Sequence, residues 1–299
     1  RSGYFPNATG QMNVNGMSDA TFVKFNKDAI MQYSVLIGSD NMETAKSIAI
    51  KQNGHIYISG TTNRSSSGLD NFPIKFKSGA YIDSFNTCTS PTCIDIFIME
   101  FIETSPNTIS PEWSSLFGGI YGENNYDIAF DNNGNLYCVG SGNPKTLHQI
   151  QPGAFNDTVG GGLILKFSPD DSLLWASSLG SSSGGDEIIA IHIDIRNRVY
   201  ITGIVRGTGL PIINPPFNTS FSGGSTDAFV TIFDSTNNIF ASSYYGGSGA
   251  DGGTAIAVSR NTRNVFVSGF TLSNNNIIRN PGSAYIDSTF NGGNYSGDL

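Results

Sequence analysis

Apolar and polar positions along this chain alternate with a period of two, in short segments such as Thr21-Phe22-Val23-Lys24-Phe25. That is the pattern of half-buried strands, and no segment carries the 3.6-residue period of a helix over three turns. The same pattern then recurs. Ser47–Gly60, Asp127–Gly140, Ala190–Gly203 and Ala255–Gly269 each read as an apolar strand, a polar turn, a second β-branched or aromatic strand and a closing glycine. The fourth copy carries one extra turn residue. A second strand pair alternates with the first. Asp19–Asp28, Asp95–Thr104, Gly162–Asp171 and Asp227–Thr236 match one another, and each precedes a strand ending in glycine: QYSVLIGS, EWSSLFGG, LWASSLGS and ASSYYGGS. The connecting turns are rich in Asn, Asp, Ser and Gly, which accept positive φ or bond their own backbone.

Each unit therefore predicts four antiparallel strands. Such a sheet cannot bury both faces alone, so the units must pack radially as blades or stack as a solenoid. Long, variable loops and antiparallel pairing favour blades. The expected fold is all-β: a β-propeller of four-stranded blades, with four repeats at roughly 19–94, 95–161, 162–226 and 227–299 in one domain spanning 1–299. The chain opens at Arg1 without Met and closes on GGNYSGDL, which matches GGSTDAF up to its strand. It reads as a processed product or an excised segment, either a closed four-bladed ring or part of a larger one.

Composition narrows the function classes. Gly supplies 36 of 299 residues and charged residues only 13 %, which argues against a coiled coil or helical bundle. Sixteen Lys and Arg face 24 Asp and Glu, for a net charge of −8. With no basic cluster, nucleic-acid binding is not expected. No apolar run is long enough for a transmembrane helix, so no membrane insertion is expected. Cys88 and Cys93 sit in CTSPTC, whose spacing allows a small disulfide ring. Cys138 in an apolar strand reads as a buried thiol.

The repeat resembles the SBBP-repeat family, β-propeller repeats found mostly in secreted or surface proteins of bacteria. The resemblance rests on GGSGADGGTAIAV (246–258), GGSTDAFVTIFD (223–234) and NFPIKFKSGAY (71–81). It implies a bacterial extracellular or cell-surface location. The chain departs from the family pattern at Gly160-Gly161-Gly162, where the strand aspartate is missing, and at Ala241, where an aromatic is missing.

Several residues invite a chemical reading. Glu43, Glu123, Asp186 and Asp251 recur once per unit. Such carboxylates could bind Ca²⁺, since hard cations want several oxygens. Alternatively, each fixes the loop entering its blade by accepting backbone N–H bonds, and a structural device is expected to recur this way. Asp19, Asp95 and Asp227 open the third strands, with Gly162 in the remaining place, and read as turn caps. Asp131-Asn132-Asn133-Gly134-Asn135 faintly resembles a calcium loop but lacks the terminal Glu, so it reads as a hairpin turn. Tyr33, Trp113 and Trp175 hold equivalent places that suit core packing better than sugar stacking. His55, His148 and His192 fall at non-equivalent positions, and no GxSxG, HExxH or P-loop is present. No catalytic residue is therefore expected. The expected role is a non-enzymatic binding or structural scaffold recognising a protein or glycan through variable loops, with 61–94 the best contact loop. The rivals are a self-assembling subunit of a surface appendage, which would be a homo-oligomer, and a propeller glycosidase or lyase acting on polysaccharide.

Overall fold

The computed structural model describes residues 8–12, 17–64, 71–83, 93–105, 108–119, 122–142, 161–214 and 218–274. All regular structure among them is β. Strands β1 (Ala8–Met12), β2 (Ala20–Phe25) and β3 (Met31–Ile37) form a three-stranded sheet in the order β1-β3-β2. Strands β4 (Glu43–Ile50), β5 (Ile56–Arg64), β6 (Cys93–Ser105) and β7 (Thr108–Phe117) form a four-stranded meander. The next four strands repeat it: β8 (Asn124–Phe130), β9 (Leu136–Ser141), β10 (Gly162–Phe167) and β11 (Leu173–Leu179). So do β12 (Glu187–Ile193), β13 (Val199–Val205), β14 (Asp227–Phe233) and β15 (Ile239–Tyr245). Finally β16 (Asp251–Val258) pairs with β17 (Val265–Thr271). The three four-stranded sheets are antiparallel blades of a β-propeller.

The blades are out of phase with the expected repeat boundaries. Boundaries at 95, 162 and 227 fall at the second-to-third strand step, inside a sheet. β5 pairs directly with β6 from Ile56↔Phe101 to Arg64↔Cys93, across the long variable segment between them. The loop length hides this pairing, because closing a longer loop costs little extra entropy.

The chain divides into two compact units. One comprises Arg1–Cys138, Lys145–Ile150 and Leu165–Trp175; the other comprises Val139–Pro144, Gln151–Ile164 and Ala176–Leu299. In the first unit the core gathers Phe22, Tyr33, Val35, Ile58, Phe97, Met99, Phe101 and Leu116. Phe22 and Phe101 lie 5.1 Å apart between ring centroids, and Phe72 and Phe97 lie 5.3 Å apart. In the second unit Ile188, Ile201, Val205, Phe229 and Tyr244 are buried.

The closing glycine of three repeats has a specific cause. Gly60, Gly203 and Gly269 sit opposite a β-bulge in the first strand, between Ala45 and Ser47, Ile188 and Ala190, and Gly253 and Ala255. The bulge pushes a first-strand carbonyl toward the glycine. A methyl on Gly60 would lie 2.0 Å from Thr44 O, one on Gly203 1.9 Å from Glu187 O, and one on Gly269 1.9 Å from Gly252 O. Only glycine admits that approach.

The variable loops cover sheet edges. Residues 73–83 run along β7: Ser114 N donates to Lys75 O, Ser114 Oγ to Pro73 O at 2.7 Å, and Trp113 Nε1 to Tyr81 O at 2.9 Å. In the second unit Ser242 N donates to Ile213 O, Tyr244 N to Asn218 O, and Asn214 Nδ2 to Phe240 O. β1 covers β3 in the same way, with parallel pairing. Each fourth strand would otherwise present open hydrogen-bonding groups to solvent.

Candidate functional site

The recurring carboxylates are buried. Glu43, Glu123, Asp186 and Asp251 are each no more than 2 % exposed. Each accepts a backbone N–H from the loop just before its strand: Ser39 N to Glu43 at 2.9 Å, Gly119 N to Glu123 at 2.9 Å, Ser181 N to Asp186 at 2.5 Å, and Gly247 N to Asp251 at 2.7 Å. Hydroxyls add to this. Ser39 and Thr62 donate to Glu43, Ser181 to Asp186, and Thr271 and Ser273 to Asp251. Asp186 also receives Arg206 N at 2.7 Å, so it ties together both ends of its hairpin. Burial pushes the Glu43 carboxyl upward against these hydrogen bonds.

The glycines that follow β7, β11 and β15 make room for the acids. A methyl on Gly180 would lie 2.1 Å from Asp186 Oδ2, and one on Gly118 2.0 Å from Asp95 Oδ1. A methyl on Gly246 would lie 2.4 Å from Asp227 Oδ1 and 2.9 Å from Asp251 Oδ2. Third-strand and first-strand acids therefore meet across one glycine. Asp227 shows the consequence: its carboxyl is pushed up to about 6, first by burial and further by the Asp251 charge. Among the described residues, Asp19 Oδ1 and Asp227 Oδ1 are buried without a hydrogen-bond partner. No group of three or more His, Cys, Asp or Glu suited to a metal ion occurs among the described residues. Counting back from Phe25, Phe101, Phe167 and Phe233, the vacant aspartate position is Gly161, one residue before Gly162.

The hairpin turns read as expected. Asp131 Oδ1 accepts the amides of Asn133 and Asn135, Asp194 Oδ1 those of Arg196 and Arg198, and Asp234 Oδ1 those of Thr236 and Asn238. The fourth-strand aromatics lie in the core. Tyr33 and Trp113 are fully buried, Trp175 is 9 % exposed, and Trp113 meets Phe167 edge-on at 5.9 Å. Cys138 is a buried free thiol whose pKa burial pushes up to about 12. Cys93 begins β6, while Cys88 and the side chain of Cys93 lie outside the described residues, as does His148. His192 packs edge-on against Tyr200, and burial pushes its pKa down.

One cluster was not anticipated. Tyr57, wholly buried on β5, places its hydroxyl 2.7 Å from Glu100 Oε1 and 2.8 Å from Asp171 Oδ1. Lys77 reaches in from the edge-covering loop, 2.7 Å from Glu100 Oε2 and 2.5 Å from Asp171 Oδ2. His55 Nδ1 lies 2.6 Å from Glu100 Oε1. Both carboxylates are 1 % exposed, and the Lys77 and His55 side chains are about one-third exposed. Burial raises both acids. At Glu100, hydrogen bonds from His55, Lys77 and Tyr57 outweigh it and hold the carboxyl at about 2. At Asp171, burial and the Glu100 charge win, and the carboxyl sits above its ordinary value. Asp171 occupies a left-handed turn position with φ 64°.

The repeat itself marks this cluster. Where other turns carry Asp131, Asp194 or Ser259, this blade has Lys51; where others carry Asn135, Arg198 or Asn264, it has His55. Glu100 stands where others have Lys24, Lys166 or Ile232, and Asp171 where others have Ala29 or Asn237. Lys51 donates to Pro169 O at 2.6 Å and sits over the Tyr57 ring. These joint departures were a signal in the sequence, readable once the register of each strand is known.

No curated protein matches the chain. The family model described as SBBP beta-propeller repeat matches residues 112–144. That stretch runs from the β7 aromatic through the β8–β9 hairpin to just past Gly140. Residues 112–144 are thus an SBBP β-propeller repeat, and the three four-stranded sheets share one strand order.

Proposed function

We propose that this chain is a non-enzymatic β-propeller scaffold, acting outside the cell or at its surface, that recognises a protein or glycan through loops differing between blades. One observation carries the reading: the acids and aromatics that recur from blade to blade are engaged within their own unit, as loop ties, turn caps and core. Recurring chemistry therefore serves architecture, and selectivity must come from residues that do not recur. Binding residues commonly lie on loops carried by a rigid frame.

The segment 61–94, expected to be the contact loop, has a middle part that covers β7, so it cannot be exchanged whole without opening an edge. The test leaves 71–83 in place and replaces 65–70 and 84–92 with Gly-Ser segments of equal length. Binding is read on a glycan array and on a panel of immobilised extracellular proteins. The exchange should abolish binding to the hits of the native chain while the melting temperature holds. Unchanged binding by the exchanged chain would move recognition elsewhere. Release of reducing ends from any polysaccharide in a matched panel would overturn the non-enzymatic reading.

A further inference from the structure

We propose that Lys77 and Asp171 condense to an intramolecular isopeptide bond, with Glu100 as the proton acceptor and Tyr57 as the relay to the leaving group. Lys77 contacts both acids in a site where each acid is almost wholly closed to water. Lys77 Nζ touches both carboxyls, at 2.5 Å from Asp171 and 2.7 Å from Glu100. The Tyr57 hydroxyl bridges the other oxygens of the same two acids.

The bridge requires a proton. A phenol has one hydrogen to donate, yet carboxyl oxygens flank it on both sides at hydrogen-bond distance. If Tyr57 donates to Glu100 Oε1, then Asp171 Oδ1 must carry a proton and donate to Tyr57. A neutral carboxylic acid is the electrophilic form, since an ionised carboxylate resists attack by an amine. The opposed shifts of the two acids point the same way, with Asp171 raised and Glu100 lowered.

The step balances without an oxidant or activated donor. Lys77 Nζ attacks Asp171 Cγ, forming the N–C bond as the Cγ–Oδ1 bond breaks. The ammonium gives up two of its three hydrogens. One remains on Glu100, and the other joins the departing hydroxyl of Asp171 through Tyr57, leaving as water. The products are a secondary amide, one water and a protonated Glu100. The resting proton sits on Lys77, whose ammonium is hydrogen-bonded to the ionised Glu100. Transfer to Glu100 is thus the uphill step, and the reaction is slow relative to folding.

The same positions in the other blades cannot do this. Glu100 is replaced by Lys24, Lys166 or Ile232, and Asp171 by Ala29 or Asn237. The bond would join the loop that covers β7 to the β10–β11 hairpin, locking covalently an edge cover otherwise held by hydrogen bonds, ion pairs and ring contacts.

Intact-mass spectrometry of the purified full chain tests this. The native chain should be lighter than its sequence by one water, and digestion should yield a branched peptide joining the Lys77 and Asp171 segments. Lys77→Arg, which keeps the charge, and Glu100→Gln should both show the full mass. Full mass for the folded native chain after prolonged incubation at neutral pH overturns the proposal. So does loss of water that persists in Lys77→Arg, since it would then arise elsewhere. A linked peptide in Glu100→Gln would remove Glu100 from the mechanism. Should Glu100→Gln fail to fold, the native chain and Lys77→Arg decide the bond without it.

Discussion

Gly60→Ala probes the blade geometry most directly. The added methyl would lie 2.0 Å from the Thr44 carbonyl oxygen and 2.9 Å from both Ala45 Cα and a ring carbon of Phe97. Two of these are backbone atoms, so no rotamer change relieves the overlap. β4 must move by more than an ångström at its bulge, straining the pairing of Ala45 with Gly60. Overpacking of this kind costs about 1–3 kcal/mol, and each ladder hydrogen bond lost adds about 1 kcal/mol. A total near 3 kcal/mol is expected. Gly54→Ala is the control: its φ is +88° and nothing lies within 4 Å of the new methyl. It should cost only the left-handed backbone term, about 1 kcal/mol. Urea unfolding followed by the fluorescence of buried Trp113 reads both variants. With a slope of about 3 kcal/mol/M, Gly60→Ala should lower the midpoint by about 1 M and Gly54→Ala by about 0.3 M. Equal midpoints for the two variants would show that the bulge does not press on the glycine, and the account of the repeat's closing residue would fail.

Other outcomes follow from the acids. Asp227 titrates at about 6 in the folded chain against an ordinary value of 3.8. The folded state therefore holds a proton that the unfolded state releases between those values. The stability linked to this group is complete below pH 3.8 and lost as pH rises through 6. Asp227→Asn should raise stability at pH 8 by about 1–2 kcal/mol and flatten the melting temperature between pH 4 and 6; a fall at pH 8 would contradict the crowding of Asp227 by Asp251. Glu43→Ala removes the acceptor for Ser39 and Thr62 and should cost about 2–3 kcal/mol, seen as a lower urea midpoint. Chelating or adding calcium should leave the melting temperature unchanged; a rise of several degrees with calcium would reassign Glu43, Glu123, Asp186 and Asp251 as ligands. Ser114→Ala removes a hydroxyl that both donates to Pro73 O and accepts from Lys75 N, so amide hydrogen exchange should quicken across 73–83 while the β5 amides stay protected.

Much of this architecture could be read before any coordinates, because strand periodicity and repetition are local properties. Alternation in Thr21–Phe25, the turn around Asn133-Gly134, and the recurrence of Glu43, Glu123, Asp186 and Asp251 each depend on residues close in sequence. Repetition also singled out the acids, since a device needed at every blade must appear in every repeat. Long-range pairing was decided elsewhere. Which strand closes onto which across 64–93, and so where one blade ends, depends on loop closure, and sequence distance says little about that. The covering of β7 by 73–83 was illegible for the same reason: the loop satisfies backbone groups, and those carry no side-chain signature. The meeting of Tyr57, Lys77, Glu100 and Asp171 needed four separate segments to converge, each unremarkable alone. Local chemistry wrote the repeat into the sequence. Only folding in three dimensions brought together the residues that break it.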